Sequence, residues 1–357
     1  MKKKLRLITK YTGLLFLTAL VFSCAASPQT RATPIEAAPL WVTDTEKVYP
    51  DRDWLVVVEA EQDAKLAERA AVTRLAQVFK VDLVSVTNAN RQFAETVGSV
   101  KKKNVLITSQ SNAIAQELTS TSAVSGLIGL QIESWPNPNG RSYANARMNR
   151  NECSARYSAM IRENEKVIGG LLEEAERNPR TFEAFRMLNL AHSFAVVTDN
   201  LHSLLTVLDT SAISKRPSYG NAEAVKSQAR NAGRSIVVTV RVNGDNSGRI
   251  EKAFTESLNS RGFKTSAAGD NSYVLAASFQ IEDAVIANPN NYKFARYILN
   301  YSLKDRGGTE LLSSSDNGRE GHLTDSEARQ RAVRAAEQSI ASNGFAVNFD
   351  AFLASLI

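Results

Sequence analysis

Three stretches in the second half of the chain alternate apolar and polar residues with a period of two. Ile236, Val238, Val240 and Val242 face one way, as do Tyr273, Leu275, Ala277, Phe279 and Ile281, and then Ala295, Tyr297, Leu299, Tyr301 and Leu303. A pleated strand sends successive side chains to opposite faces, so this pattern demands sheet strands with one face buried and one wet. Helices must cover the buried face. Between the first two strands lies Ser247 to Ser260, with Ile250, Phe254 and Leu258 four apart and Gly262 at its end. A fourth strand is expected near Glu310 to Ser313, and Thr324-Asp325-Ser326-Glu327 reads as a capping box opening a helix that runs to Asn343-Gly344. Residues 235–357 therefore predict a one-layer sheet covered by helices, an α+β unit.

The amino-terminal half is organised differently. Trp54 to Ala60 reads as a buried strand, and Asp63 to Lys80 as a helix with Ala67, Ala71, Leu75, Val78 and Phe79 on one face. A second strand is expected at Val81 to Val86. Residues 88–125 give no clear pattern, and Lys101-Lys102-Lys103 within them reads as a solvated turn, with an anionic-lipid contact as the alternative. Gly129 to Trp135 and Ser142 to Asn149 alternate on either side of the turn cluster at 136–140, which predicts a hairpin. From Asn151 to Asn178, and again from Pro179 to about Leu208, apolar residues recur at helical spacing, predicting an antiparallel helical pair. A turn-rich linker at 211–234 follows, with a short polar helix in its second part. The whole reads as α+β: two small sheet-plus-helix domains, 40–150 and 235–357, joined by the helical pair of 151–210.

The first residues carry an address. Met1 to Lys10 is basic, and Gly13 to Phe22 is an apolar run shorter than the roughly 20 residues that span a bilayer, which fits the core of an export signal over residues 1–23. Val21-Phe22-Ser23-Cys24 resembles the bacterial lipobox, in which the Cys is acylated and becomes the new amino terminus. Several acyl chains on Cys24, at about 0.8 kcal/mol per buried methylene, would anchor the chain durably. Residues 24–39 lack periodicity and are rich in Ala, Pro, Thr and Ser, a flexible tether spanning on the order of 20 Å. Ala25, rather than Asp, after Cys24 favours the outer membrane by resemblance to enterobacterial sorting. The five basic residues of this leader also account for most of the formal charge of +6, which leaves a body too near neutrality to favour nucleic acid.

Pro39-Leu40-Trp41-Val42, Tyr49-Pro50, the strand from Trp54 and the Ala-rich helix from Ala64 resemble the start of the Lpp-twenty lipoprotein family, whose modules also occur in the flagellar T-ring protein FlgT. Gly129 to Trp135, Gly140, Tyr143-Ala144 and Asn149-Arg150 resemble that family's later hairpin. The family's Gly-rich strand end is replaced here by Val57-Val58-Glu59-Ala60. The carboxy-terminal block resembles the TolB amino-terminal type of domain, including that of activators of peptidoglycan synthases. These resemblances imply a lipid-anchored envelope protein accessory to flagellum or cell-wall assembly.

Chemistry is sparse. The chain has three histidines and two cysteines. His192 and His202 stand about 80° apart around one helix, which is not a stacked ligand pair, and His322 falls in an expected loop. Cys153 shares a helical register with Tyr157 and Met160, which reads as a small buried hydrophobe. No nucleophile elbow, P-loop or dinucleotide fingerprint is present, and the carboxylates fall on polar helix faces. Trp41, Trp54 and Trp135 are weighed as hinge or core packing against a recognition surface, with Trp41 and Trp135 the candidates for the surface. The expectation is a non-enzymatic binding or structural module without metal or cofactor, held to the membrane through Cys24 and gripping another envelope protein or peptidoglycan. The alternatives are a peptidoglycan hydrolase and a carrier of an apolar ligand between the helical pair and a sheet.

Overall fold

The computed structural model describes residues 37–80, 82–100, 106–122, 126–137, 140–211, 217–267, 272–286 and 291–357. The leader, Cys24, most of the tether and Lys101 to Lys103 lie outside the described residues. Met1–Ala38 and Pro39–Ile357 are separate units, and the description below concerns the second.

The chain enters through two short helical turns, α1 (Leu40–Thr43) and α2 (Thr45–Val48), then forms β1 (Trp54–Glu61) and α3 (Ala64–Phe79). Asp63 caps α3 by accepting from the Leu66 amide at 2.9 Å, and Lys80 ends it in a left-handed conformation. The strand expected at Val81 to Val86 is instead the entry to a helix, α4 (Leu83–Ser99). Asp82 decides this: its carboxylate accepts from the Val84 amide, one of the backbone donors that a helix start leaves open, and also from the Ser85 hydroxyl. Val86, Phe93 and Val97 then fall on one buried face. The patternless stretch continues as α5 (Ser109–Ser122), which buries Ile114, Ala115 and Leu118.

The hairpin forms as β2 (Gln131–Trp135) and β3 (Ser142–Asn149), with β3 central in a three-stranded antiparallel sheet of order β1-β3-β2. The helical pair is α6 (Arg150–Arg177) and α7 (Phe182–Leu208). Pro179 lies in the turn between them, and Thr181 caps α7. Arg150, the first residue of α6, donates through Nε to the Asp51 and Trp54 carbonyls and through Nη1 to those of Val207 and Leu208. One cation thus ties the sheet's entry to the end of α7, where the helix dipole favours positive charge. Residues of α3–α7 and of the sheet share one apolar core.

Helix α8 (Ala222–Ser235) occupies the expected linker and packs on α7; Asp199 of α7 accepts from the Tyr219 hydroxyl at 2.9 Å and the Ala222 amide at 2.8 Å. The carboxy-terminal block follows as β4 (Val237–Asn243), α9 (Arg249–Ser260), β5 (Lys264–Ser266), β6 (Tyr273–Ala284), β7 (Lys293–Lys304), β8 (Glu310–His322), α10 (Asp325–Gln338), a π turn at Ser339–Asn343 and α11 (Phe345–Ser355). The sheet order is β5-β4-β6-β7-β8, with β4 parallel to both neighbours and the rest antiparallel. The fold is α+β, with two sheets and a packed helical pair. Three elements of this block differ from the sequence reading: β5 forms where no strand is expected, β8 runs on to His322 through a polar stretch, and α11 follows the expected last helix. Phe182, at the start of α7, is buried among Phe263, Tyr273, Phe349 and Phe352, so the helical pair is rooted in the second core.

Candidate binding surface

The register of the three-stranded sheet sorts its side chains by face. Leu55, Val57, Ala144, Ala146 and Met148 turn to the core, which puts Trp54, Val56, Val58, Tyr143, Asn145, Arg147, Gln131, Glu133 and Trp135 on the other side. On that second face Arg147 lies across from Gln131, and Asn145 across from Glu133. Helices α1 and α2 fold back over it.

Glu133 is the hub. Its Oε1 accepts from the Trp41 indole at 2.9 Å, and its Oε2 accepts from Arg147 Nη1 at 2.7 Å and the Tyr49 hydroxyl at 3.4 Å. Arg147 also donates to Asn145 Oδ1 at 2.6 Å and Gln131 Oε1 at 3.2 Å, and its guanidinium lies 4.8 Å over the Tyr49 ring. Tyr49 meets Trp54 edge-on at 5.3 Å. Burial alone would raise the Glu133 pKa, but the hydrogen bonds from Arg147 and Trp41 outweigh it and hold the carboxyl below its ordinary value. Burial pushes the Tyr49 hydroxyl up, with Glu133 adding to the effect against Arg147, so the phenol stays a donor.

Trp41 has 4% of its surface exposed and its one donor engaged, so it takes the packing reading. Trp135 is half-buried, 6.1 Å from Tyr143 at the far end of the same face, and the open part of the surface falls to it.

The remaining candidates are dispersed. Cys153 is 1% exposed, and burial pushes its thiol up to about 11, far from a reactive thiolate. It presses on Gly129, where a Cβ would meet its Sγ at 2.5 Å and where φ is +84°. His202 pairs across the helices with Glu165 at 3.3 Å. His192 turns toward α8, where burial first and Lys226 next lower its pKa. His322 ends β8 rather than lying in a loop, with its Nδ1 3.4 Å from the Thr324 amide. Among the described residues no three His, Cys, Asp or Glu side chains converge as metal ligands. An open groove of about 900 Å³ lies between α7 and the α3–α4 turn, floored by Phe79 and Val86 and rimmed by Lys80, Asp82 and His202. Sequence reasoning missed the Glu133–Arg147 hub because its members meet only through strand pairing; the alternation of Gln131, Glu133 and Trp135 was the available signal.

No protein-family model and no curated protein matches the chain. Among solved structures it is similar to a minor lipoprotein from Acinetobacter baumannii, at 12% identity over 32% of this chain and 91% of that one, with a TM-score of 0.26. It is similar to the rare lipoprotein B from Shewanella oneidensis at 14% identity over 32% of this chain and 93% of that one, TM-score 0.25. A secreted protein of Helicobacter pylori is similar over 81% of this chain and 98% of its own length, at 12% identity and a TM-score of 0.35. Similarity at these values carries no residue-by-residue correspondence.

Proposed function

We propose that the chain is a lipid-anchored lipoprotein of the bacterial cell envelope, of the Lpp-twenty type, held in the outer membrane through acylated Cys24. Its body acts as a non-enzymatic module that binds another envelope component, a protein or peptidoglycan, in flagellum or cell-wall assembly. The observation that carries this reading is Val21-Phe22-Ser23-Cys24 placed at the end of the apolar run Gly13 to Phe22. A thiol at that boundary serves acylation, whereas an ordinary export signal needs only small residues there. The Glu133–Arg147 hub supports a binding role for the same reason that it argues against catalysis at that point: the Glu133 carboxylate is engaged by Trp41, Tyr49 and Arg147, which hold the entry segment to the sheet.

The test is Cys24→Ser. The wild-type product should partition into detergent and show an acylated Cys24 as its first residue by mass spectrometry; the variant should remain aqueous. A wild-type mature product lacking Cys24, or carrying it unmodified, overturns the proposal. Clearing of a peptidoglycan gel by the purified protein would instead make it a hydrolase. Carriage of an apolar ligand is the second reading, and the groove beside α7 is the observation behind it.

A further inference from the structure

Of the nine large apolar side chains exposed among the described residues, three stand at one end of the five-stranded sheet. Val285 follows β6 and is fully exposed, Tyr292 precedes β7 and is 42% exposed, and Leu323 follows β8 at 63%. The register makes them neighbours: Ala284 pairs with Phe294, and Lys293 with His322. Phe294 extends the patch on the sheet face turned away from the helices, its ring 6.5 Å from that of Tyr292 and laid over Gly321, where a Cβ would meet it at 2.6 Å. Apolar side chains scattered singly over a surface need no explanation, but a group gathered at strand ends marks a contact. Beside it on the same face, Arg296 of β7 and Arg319 of β8 stand directly opposite each other. Like charges so placed are unfavourable unless something anionic meets them. Glu282 lies across from Arg296 on β6, yet among the described residues neither guanidinium makes an ion pair; Arg296 donates to Asn317 Oδ1 at 3.2 Å, and Arg319 lies 5.8 Å over the Phe294 ring.

We infer that this end of the sheet is a membrane-contact site: Val285, Tyr292, Phe294 and Leu323 enter the interfacial layer of a phospholipid bilayer, and Arg296 and Arg319 bind headgroup phosphates. Three observations select a bilayer over a protein partner. The apolar side chains project from strand ends, and a fluid interface yields around such projections without a matching pocket. A Tyr among apolar neighbours and long cationic side chains is the composition of an interfacial segment, with the ring at headgroup level and the arginine stems on apolar surface below their hydrated heads. The paired guanidiniums lack an anion, and the phosphate that every phospholipid carries is one that a guanidinium fork grips in bidentate fashion. The inference rests on the reading of the chain as membrane-held for the presence of a bilayer. It goes beyond that reading in giving the body a contact of its own, which fixes the end of the second sheet that faces the lipid.

The test uses the full chain, mixed with vesicles of phosphatidylethanolamine and phosphatidylglycerol, with the photocrosslinker benzoylphenylalanine in place of Val285, of Leu323 or, as a control, of the exposed Val347 on α11. Irradiation should give lipid adducts, read by mass spectrometry, at positions 285 and 323 and about tenfold fewer at 347. Arg296→Ser together with Arg319→Ser should lower the adduct yield at 323 about tenfold. Both arginines are exposed, so circular dichroism can show that this variant keeps its fold. No lipid adduct at 323, equal yields at all three positions, crosslinks to another protein chain in place of lipid, or a yield indifferent to the two arginines each overturns the inference, whatever Cys24 carries. Lipid adducts at 285 and 323 from a chain whose Cys24 is bare would uphold the contact and remove only the acyl anchor.

Discussion

Replacing Phe182 with Ala tests whether the helical pair and the carboxy-terminal block are one body. Phe182 opens α7, yet its ring is 2% exposed and lies 4.5 Å from Tyr273, 5.1 Å from Phe263, 5.6 Å from Phe349 and 5.7 Å from Phe352. All four belong to the second core. Truncating a fully buried Phe costs about 3–5 kcal/mol, because the transfer free energy is lost and the surrounding rings close the cavity only in part. For a cooperative unit this large, each kcal/mol moves Tm by about 2 °C, so the variant should melt about 8 °C lower. Calorimetry on the chain with Cys24→Ser is the assay. The loss should lower a single transition, since the cavity opens at the junction of two elements that stabilise each other. Phe352→Ala removes one wall of the same cluster, and the double variant should lose less than the sum of the singles by more than 0.5 kcal/mol, a coupling expected of residues in contact. A Tm drop under about 2 °C, or strict additivity, would show that α7 is not rooted in the second core, and the block would then be free to move as a domain.

The Glu133 hub gives a pH dependence of definite sign. Its folded-state pKa is depressed, so the stability it contributes is present above the unfolded value and is lost as pH falls through the folded one. Glu133→Gln should therefore cost about 1 kcal/mol at pH 7, a modest figure because the carboxylate is partly solvated, and the difference from wild type should shrink as the carboxyl is protonated; urea midpoints at pH 7 and pH 3 measure it, and an equal gap at both would sink the account. Asn164 on α6 is fully buried, and among the described residues neither its amide nitrogen nor its oxygen has a hydrogen-bond partner. Asn164→Leu should stabilise the chain by about 1–2 kcal/mol in urea denaturation, and a loss of stability would show that the amide is satisfied in solution.

What the sequence revealed depended on whether a segment's burial was one-sided. β4, β6 and β7 alternate cleanly because helices cover one face and water the other, and their limits were legible within a few residues. β8 was read as a short strand because Ser313 to Gly321 has no strand propensity of its own; pairing with β7 makes it a strand, and pairing is a tertiary fact. The reverse error at Val81 to Val86 has a local cause. A run of β-branched residues imitates a buried strand, but Asp82 and Ser85 stand at capping positions, and the buried Val86, Phe93 and Val97 carry the helical period only when read past the run. The candidate surface was half legible. Trp41 and Trp135 were singled out by type, whereas Glu133 and Arg147, which give the surface its structure, were read only as alternating strand residues. Trp41 and Glu133 are 92 positions apart, and only the β1-β3-β2 register shows that α1 folds back onto β2.

That return of α1 bears on how the body responds to a pull applied ahead of Pro39. The first helical turn after Pro39 carries Trp41, whose indole is fixed to Glu133 on β2; Glu133 is fixed to Arg147 on central β3; and β3 leads directly into Arg150, which grips the carbonyls at both β1 and the end of α7. Tension at Pro39 therefore passes sideways into the middle strand and the long helices before it can peel β1 from the edge. Shearing several paired strands at once requires breaking their hydrogen bonds together, while peeling an edge breaks them one after another. A chain tied at its first turn in this manner resists the second route. The same argument ranks the contacts: loss of the Trp41 donor should weaken resistance to pulling from Pro39 more than it lowers equilibrium stability.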